Sequence, residues 1–445
     1  MRREILSAGF VLMLFGATHA SAQALRPAQN AQIDLFVRNR AVAVRDRSQP
    51  AYDPLGIRAG GFTAFPRLQS GVVHDDNIFA AEDNRQPATT LRLTPEVVVR
   101  SNWSRHAFET RARAEIDRNL DFDSENTTDW SLGSAGRLDI VRGVDITLAA
   151  DYAHDHEART AAGSDPAARR PIAFELASAS LAATRTRGRL RLSADAAVLR
   201  YDYRDGLSDA GAVIEQDDRD RTAVRLTGRA DYALSPATAL FVQVARDDRD
   251  YRKVAGSPER SSSGHEVLAG VDFELGALVR GEVAAGYIRQ EFRNTAYGDL
   301  DGFGGRARLS WFPTQLTTLT ATAARSVEDT GVIGSAGALR TDLSISVDHE
   351  LLRNLILTAE TAWSEDGYNG LDRTDTRFAT SSSAIYRLNR RYGLTASLAY
   401  LDQSSSGAAA GPNYRSTRLS IAVVSQFLPY GHSAKIDNLE ASSHH

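Results

Sequence analysis

The sequence predicts an all-β protein: a transmembrane antiparallel up-and-down β-barrel of about 18 strands, with about 16 as the alternative count. Apolar and charged residues alternate with a period of two from about residue 62 to residue 427. Every second connection between the alternating segments is a tight turn, whereas the others are long and rich in Asp, Gly, Ser and Asn. Bacterial transmembrane barrels combine short periplasmic turns and longer extracellular loops in this way.

The clearest strand pair lies in residues 91–122. Leu91 and Leu93 alternate with Arg92 in the first strand, and Ala112 alternates with Arg113 in the second. The pair therefore has one apolar face and one densely charged face. A soluble β-sandwich could use such a hairpin with the apolar face as its core, but aromatic residues near many strand ends favour the interfacial girdles of a membrane barrel. These aromatic residues are Trp103, Trp130, Tyr152, Tyr232, Trp311, Trp363, Tyr392 and Tyr400.

Some segments fit the pattern badly. Pro66 and Pro95 fall inside the first two predicted strands, and each removes a donor from the hydrogen-bond ladder. The run Leu240, Phe241 and Val242 is apolar throughout and lacks clean alternation. These irregularities are the reason for the alternative strand count.

The start of the chain has the pattern of a secretory signal peptide. Arg2 and Arg3 precede an apolar run at residues 5–15, and small residues end at Ala22. The run is shorter than the length of about 20 residues that a spanning helix needs. An even number of strands places both ends of the barrel on the periplasmic side, so we expect the outer membrane of a Gram-negative bacterium.

The rest of the chain divides around the barrel. Residues 23–60 lack sustained alternation, which predicts a periplasmic tail or an inward-folding plug. The predicted divisions are 1–22 for the signal peptide, 23–60 for the tail or plug, 61–428 for the barrel, and 429–445 for a C-terminal tail whose last residues could belong to an affinity tag.

The composition excludes several functions. The chain has no cysteine, so it can form neither a disulfide nor a thiolate zinc site. Its net charge of -4 does not indicate a nucleic-acid partner. His154 and His156 resemble metal ligands, but alternation separates them from Asp155 and puts them on the apolar face. No Ser, His and Asp set falls on one rim, so we expect no enzymatic activity, no metal and no cofactor.

The charged face is the predicted functional surface. Burying so many ions in a dry core would cost several kcal/mol each, so a face with both signs predicts a water-filled lumen. Barrels of about 16 to 18 strands leave such a channel. Most of these charges are expected to neutralise one another, which argues against strong ion selectivity and suits a polar, hydrated polymer. The predicted lining residues are Arg92, Glu96, Arg100, Glu109, Arg111, Arg113, Glu115, Asp117, Arg137, Asp139, Arg191, Asp195, Arg225, Arg229, Asp231, Asp272, Arg280, Glu282, Arg306, Arg308 and Asp342.

Two short stretches resemble a known family. One runs from Tyr52 through Phe62 and Asp75 to Phe79, and the other runs from Pro95 to His106. Together they resemble the outer-membrane β-barrel porin family associated with exopolysaccharide operons of the capsule or holdfast type. The resemblance is specific over about residues 52–129, and beyond them only the general barrel pattern continues. It implies an exit pore for polysaccharide above a periplasmic export protein, and it assigns no functional residues.

Three functions follow as hypotheses. The first is an outer-membrane channel that releases an exported polysaccharide, with a periplasmic polysaccharide-export protein docking on the tight-turn side or on residues 23–55. The second is a general diffusion porin for small polar solutes, which predicts trimers and an inward-folding constriction loop; no outer loop looks long enough to be one. The third is a structural or adhesive barrel with a plugged lumen. In each case the surrounding partners are outer-membrane lipid and lipopolysaccharide.

Overall fold

The computed structural model describes residues 42–427 and contains a closed antiparallel β-barrel of eighteen strands. Each strand pairs with its neighbours in chain order, and the ring closes where the first strand pairs with the last, from Arg67 against Gln426 to Asp75 against Arg418. No helix in this part of the chain is long and apolar enough to cross a membrane. The strands are β1 Phe62–Asp75, β2 Ala88–Ser101, β3 Ala107–Asn119, β4 Thr127–Val141, β5 Val144–His156, β6 Ala173–Arg187, β7 Leu190–Tyr203, β8 Arg221–Ser235, β9 Thr238–Tyr251, β10 Ser262–Leu275, β11 Val279–Phe292, β12 Leu300–Thr314, β13 Thr317–Glu328, β14 Ala338–Leu352, β15 Leu355–Tyr368, β16 Thr374–Arg387, β17 Tyr392–Ser406 and β18 Tyr414–Gln426.

The connections differ between the two ends of the barrel. At one end, called here the turn end, the strands are joined by two to five residues, as at 142–143 and 188–189. At the other, the loop end, the longest connections are 157–172 and 204–220. Both ends of the described chain lie at the turn end. The count of about eighteen and the predicted asymmetry of the connections are therefore confirmed.

The outer face of the barrel is apolar. Leu226, Val242 and Val244 on neighbouring strands are each about half exposed, because this face has no protein to pack against. Phe303 and Trp311 mark the two edges of the apolar band on β12. Eight residues separate them, which is about 26 Å along a strand and about 20 Å along the membrane normal at a tilt of about 40°. The apolar band of known membrane barrels is about 25 Å tall, so the band is of spanning height.

The irregular positions have simple local explanations. The β2–β3 ladder is interrupted opposite Pro95, which has no backbone N–H to donate. Gly143 and Gly188 have positive φ angles of 78° and 62°, and two-residue hairpin turns require this conformation. Phe241 does alternate with its neighbours, because its ring faces the inside of the barrel and is buried. All eighteen strands therefore fit one barrel, and the alternative count of sixteen is wrong.

Candidate functional site

The inner face of the barrel carries every charged residue that the sequence analysis assigned to the lumen. Each alternates along its strand with the exposed apolar residues of the outer face. Whether they contact a transported solute stays a prediction. They are Arg92, Glu96 and Arg100 on β2; Glu109, Arg111, Arg113, Glu115 and Asp117 on β3; Arg137 and Asp139 on β4; Arg191 and Asp195 on β7; Arg225, Arg229 and Asp231 on β8; Asp272 on β10; Arg280 and Glu282 on β11; Arg306 and Arg308 on β12; and Asp342 on β14.

One sector of the inner face, on β7 to β12, is a buried ionic network. The Arg229 guanidinium lies 2.7 Å from Asp231 and 2.8 Å from Glu282, which is three strands away. Glu282 also accepts a hydrogen bond of 2.9 Å from Arg306, and Arg306 in turn donates one of 2.9 Å to Gln243. The side chains of Arg229 and Glu282 are only 4% exposed. Much of the charged face in this sector is therefore a packed polar core, and the prediction that a face of both signs excludes a core is wrong here.

Aromatic rings complete this buried sector. The Arg229 guanidinium lies 3.6 Å from the centre of the Phe241 ring, and that of Arg221 lies 3.9 Å from the Tyr201 ring. Such contacts are favourable because the face of the ring is electron-rich, and they strengthen when water is excluded. The cost of burying the charges is thus offset by carboxylates, amides and rings together. The sequence analysis did not assign Phe241, Tyr201 or Arg221 to the lumen.

The second sector, on β2 to β4, is hydrated. The side chains of Arg111, Arg113 and Arg137 are 46%, 42% and 42% exposed although they point into the barrel. Arg113 lies 2.7 Å from Glu115, which is two residues along the same strand. The ion pairs of this sector join side chains on the same strand or on neighbouring strands. They form the self-neutralising ladder that the sequence predicts, and water reaches it.

The third sector, on β16 to β18, carries hydroxyl groups. Ser381, Ser383, Ser397 and Ser420 point inward and are half-buried. Hydroxyls both donate and accept hydrogen bonds. Since β18 pairs with β1, this sector and the exposed arginines on β2 to β4 lie on the same side of the ring, separated by the buried Val73 and Ala422. The inner surface therefore has a packed ionic side and a side with more accessible polar groups.

Residues 42–55 lie across the turn end. The Val44 N–H donates a hydrogen bond of 3.1 Å to the Thr318 hydroxyl, and Arg45 lies 2.5 Å from Asp348. Arg45 also donates a hydrogen bond of 2.8 Å to Thr358. These partners lie on the inner face of β13, β14 and β15, close to the turn end. Burial raises the pKa of the Asp46 carboxyl, although Arg280 and Arg308 oppose this effect. The residues upstream of 42, including the predicted signal peptide, lie outside the described residues, as do those after 427.

At the loop end, residues 329–337 fold into the barrel. The Asp329 carboxylate accepts hydrogen bonds of 2.8 Å from Arg221, 2.9 Å from Arg249 and 3.0 Å from the Tyr251 hydroxyl. These partners lie on β8 and β9, several strands from β13, which Asp329 follows. Burial alone raises the pKa of the Asp329 carboxyl, but the charges of Arg249 and Arg221 outweigh it and hold the pKa well below its usual range. We call this group the Asp329 clasp.

Residues 157–172 also lie inside the loop end. The Tyr414 hydroxyl of β18 donates a hydrogen bond of 2.8 Å to the Thr160 carbonyl, and β18 is five strands from β5. Gly163 touches residues 329–337, since a Cβ at that position would come within 2.6 Å of the Gly331 Cα. Two inward-folding loops are therefore present, and the expectation that no outer loop could act as a constriction is wrong.

His154 and His156, the two residues that resemble metal ligands, lie within an aromatic cluster. The His154 and His156 rings contact each other with centres 5.4 Å apart, and His154 stacks near Trp130 on the outer face. Within residues 42–427 no group of three or more His, Asp and Glu side chains is arranged to hold a metal ion.

One family model matches this chain, and several solved structures resemble it. The model of the family described as "Putative beta-barrel porin 2" matches residues 49–427. No curated protein matches the chain. The structures that it resembles include OpdK of Pseudomonas aeruginosa bound to vanillate (11% identity, 82% of this chain and 99% of that chain, TM-score 0.42). They also include OccAB3 of Acinetobacter baumannii (11% identity, 83% and 100%, TM-score 0.44) and the FrpB iron transporter of Neisseria meningitidis (10% identity, 82% and 81%, TM-score 0.42). The family match covers most of the chain, and this outer-membrane β-barrel belongs to the Putative beta-barrel porin 2 family.

Proposed function

We propose that the protein is a gated outer-membrane channel for a hydrated polar polymer, and that this polymer is an exported polysaccharide. One observation carries the proposal. One side of the inner wall carries accessible polar groups in two sectors, the half-buried hydroxyls on β16 to β18 and the exposed arginines on β2 to β4, with the buried Val73 and Ala422 between them. A polymer of sugars needs many hydrogen-bond partners and little net field, and this side supplies both. Segments of the same chain lie in both mouths, and we infer that their movement gates the channel.

A periplasmic export protein is the partner that this function needs. Residues 42–55 would be its contact, because they lie at the turn end, which corresponds to the periplasmic side in the short-turn, long-loop arrangement of outer-membrane barrels. Arg390 at the turn between β16 and β17 donates hydrogen bonds of 2.6 and 3.1 Å to the Pro50 carbonyl, so this segment also reaches the barrel rim. A protein that binds the segment could withdraw it from the lumen.

Lipopolysaccharide and other outer-membrane lipid are the proposed surroundings of the loop end. Arg200 and Arg204 point outward above the apolar band, with side chains more than half exposed. Arg204 pairs with Glu175, and Arg200 pairs with Asp202. Charges at this level of the outer face are suited to the phosphate groups of the outer leaflet and to the divalent cations that bridge them.

A general diffusion porin for small polar solutes is the second candidate. The inward-folding residues 157–172 and 329–337 favour it, because loops in this position narrow a lumen and thereby select solutes by size. A structural or adhesive barrel is the third candidate. It is favoured if the segments in the two mouths never move.

Single-channel conductance in a planar bilayer tests the proposal, with the intact chain compared with a chain that lacks residues 23–55. We expect low or intermittent conductance in the intact chain and steady conductance after the deletion. Silence in both proteins would contradict a channel and favour the structural barrel. Deletion of the gene separates the first two functions: loss of surface polysaccharide supports export, whereas normal polysaccharide with slower uptake of small solutes supports the diffusion porin.

A further inference from the structure

Two arginines of β3 are more accessible to water than the carboxylates that they contact. The side chains of Arg111 and Arg113 are 46% and 42% exposed, whereas those of Glu109, Glu96 and Glu115 are 29%, 7% and 20% exposed. A long arginine side chain places its charge beyond the shorter acidic ones while its aliphatic part covers the wall. A solute that moves along this wall therefore meets guanidinium groups first, although the wall is nearly neutral overall.

Two of these arginines are spaced for repeated contacts with a chain. Arg111 and Arg113 are two residues apart on the same face of β3, so their Cα atoms are about 6.7 Å apart. Arg111 contacts its carboxylates at 3.3 Å from Glu109 and 3.7 Å from Glu96, which is longer than the 2.7–2.9 Å of a strong charge-assisted bond. Arg113 is bonded to Glu115 at 2.7 Å, but water reaches both guanidinium groups, and each planar group matches a carboxylate in two-point contacts.

The hydroxyl sector adds a second kind of recognition on the same side of the ring. Ser381, Ser397 and Ser420 present hydroxyl groups that can donate to and accept from sugar hydroxyls. The packed sector on β7 to β12 offers neither kind of contact, because its side chains already bond one another and are buried. A solute that hydrogen-bonds to the hydroxyl sector and also pairs with the arginines of β3 has hydroxyl groups along its length and carboxylates at intervals.

We propose that the transport path runs off the barrel axis, along β16 to β18 and β1 to β4, and that it takes an anionic glycan whose sugars carry carboxylates. This inference rests on the proposed function and names its substrate class. Arg111 and Arg113 are the specificity-determining residues. They select acidic over neutral sugars by charge-assisted hydrogen bonds to the passing carboxylates.

Current block by two short glycans tests the inference. The probes are a linear hexamer of galacturonic acid and a neutral hexamer of glucose, applied to the full chain in a planar bilayer. We expect the acidic hexamer to block at lower concentration than the neutral one. The double variant Arg111→Gln/Arg113→Gln should weaken block by the acidic hexamer about tenfold, since loss of about 1.4 kcal/mol of contact changes affinity by that factor. The matched control is Arg246→Gln, which alters an arginine on the outer face whose side chain is 66% exposed.

The possible outcomes distinguish a failure of the anionic substrate from a failure of the channel function. Conductance with equal block by both hexamers, or equal block of the wild type and the double variant, overturns the anionic substrate and leaves the channel in place. Silence in the full chain leaves no current to block, and calorimetric binding of the same hexamers to the purified barrel then decides the inference. Binding of the acidic hexamer that weakens about tenfold in the double variant and not in Arg246→Gln supports it, and absent or equal binding overturns it.

Discussion

Removal of the Asp329 charge should release residues 329–337 from the loop end. In Asp329→Asn the side chain keeps its size, but the buried guanidinium groups of Arg221 and Arg249 lose their shared carboxylate. Loss of one partner of a buried ion pair costs about 3–5 kcal/mol. We take the lower end, about 3 kcal/mol, because Arg249 keeps a second carboxylate, Asp247, at 2.6 Å. At about 1.4 kcal/mol per factor of ten, the ratio of docked to released loop should fall more than about a hundredfold.

Two assays measure this change. Single-channel recording gives the open probability, which should rise in Asp329→Asn. The chain has no cysteine of its own, so a cysteine introduced at Ser381 in the hydroxyl sector would be the only thiol. Its reaction with an impermeant thiol reagent added at the loop end should accelerate with the release of the loop. The control is Asp299→Asn, which removes an exposed carboxylate at the same end of the barrel. Unchanged open probability and unchanged labelling in Asp329→Asn would refute the idea that the Asp329 clasp retains the loop.

The pH dependence of the Asp329 clasp follows from the sign of the pKa shift. The docked pKa of Asp329 is held below its usual range, so the carboxylate stabilises docking fully above its ordinary pKa of about 4. This stabilisation is lost only as the pH falls through the lower, docked value. Docking should therefore stay constant between about pH 5 and 8 and weaken in stronger acid, as measured by the labelling rate at position 381. A transition near neutral pH would show that another group controls the loop.

Three further predictions concern other parts of the barrel. Arg45→Gln should loosen residues 42–55, since it removes the contacts to Asp348 and Thr358, and protease added at the turn end should cleave the segment faster; equal cleavage would place its anchor elsewhere. Arg229→Gln should destabilise the barrel by about 3–5 kcal/mol because Asp231 and Glu282 stay buried, and denaturant unfolding in detergent measures it; a change below about 1 kcal/mol would mean that water enters this sector. Val242→Arg in the middle of the apolar band should cost about 2–4 kcal/mol in lipid, measured by reversible folding into bilayers, and a neutral result would contradict lipid contact at this site.

The barrel itself was predictable because its signal is local. A period of two assigns each residue to one face, and a hairpin of two to five residues fixes the register of the next strand. This is why the inner position of Arg111 and the outer position of Leu91 follow from the sequence alone. The aromatic girdle residues are predictable for the same reason, because they lie at the ends of the strands, where the apolar band stops.

The division of the lumen was not predictable from such local patterns. Arg137 and Asp139 on β4 and Arg229 and Asp231 on β8 share the spacing Arg-x-Asp on the inner face. The first pair is 42% and 40% exposed, whereas the second is 4% and 2% exposed. The difference depends on Glu282, which is 53 residues from Arg229 in the chain. No local pattern carries that information.

The inward fold of the long loops depends on equally distant contacts. Asp329 looks like an ordinary acidic residue at a strand end, yet its partners Arg221 and Arg249 are 108 and 80 residues away. Loop length alone was a poor guide, because a connection of only nine residues, 329–337, still places Asp329 against Arg221 and Arg249 inside the barrel. Alternation along β8 and β9 does place Arg221 and Arg249 on the inner face near the loop end. Two inward-facing arginines at this level indicate that an acidic partner lies nearby.

The uneven lumen gives the barrel an uneven stiffness. On β8 to β12, hydrogen bonds such as those from Arg229 to Glu282 and from Arg306 to Gln243 connect strands that are not neighbours. These bonds resist a change in the curvature of the wall. On β16 to β18, the bonds between strands join neighbours, as between Arg377 and Gln403 at 2.6 Å, and the longer contacts of Tyr414 and Arg387 are made to segments at the two ends of the barrel. We therefore expect the wall at β8 to β12 to keep its curvature and the wall at β16 to β18 to be more flexible. A barrel built in this way should change its cross-section on the side without these bonds while every strand ladder stays intact.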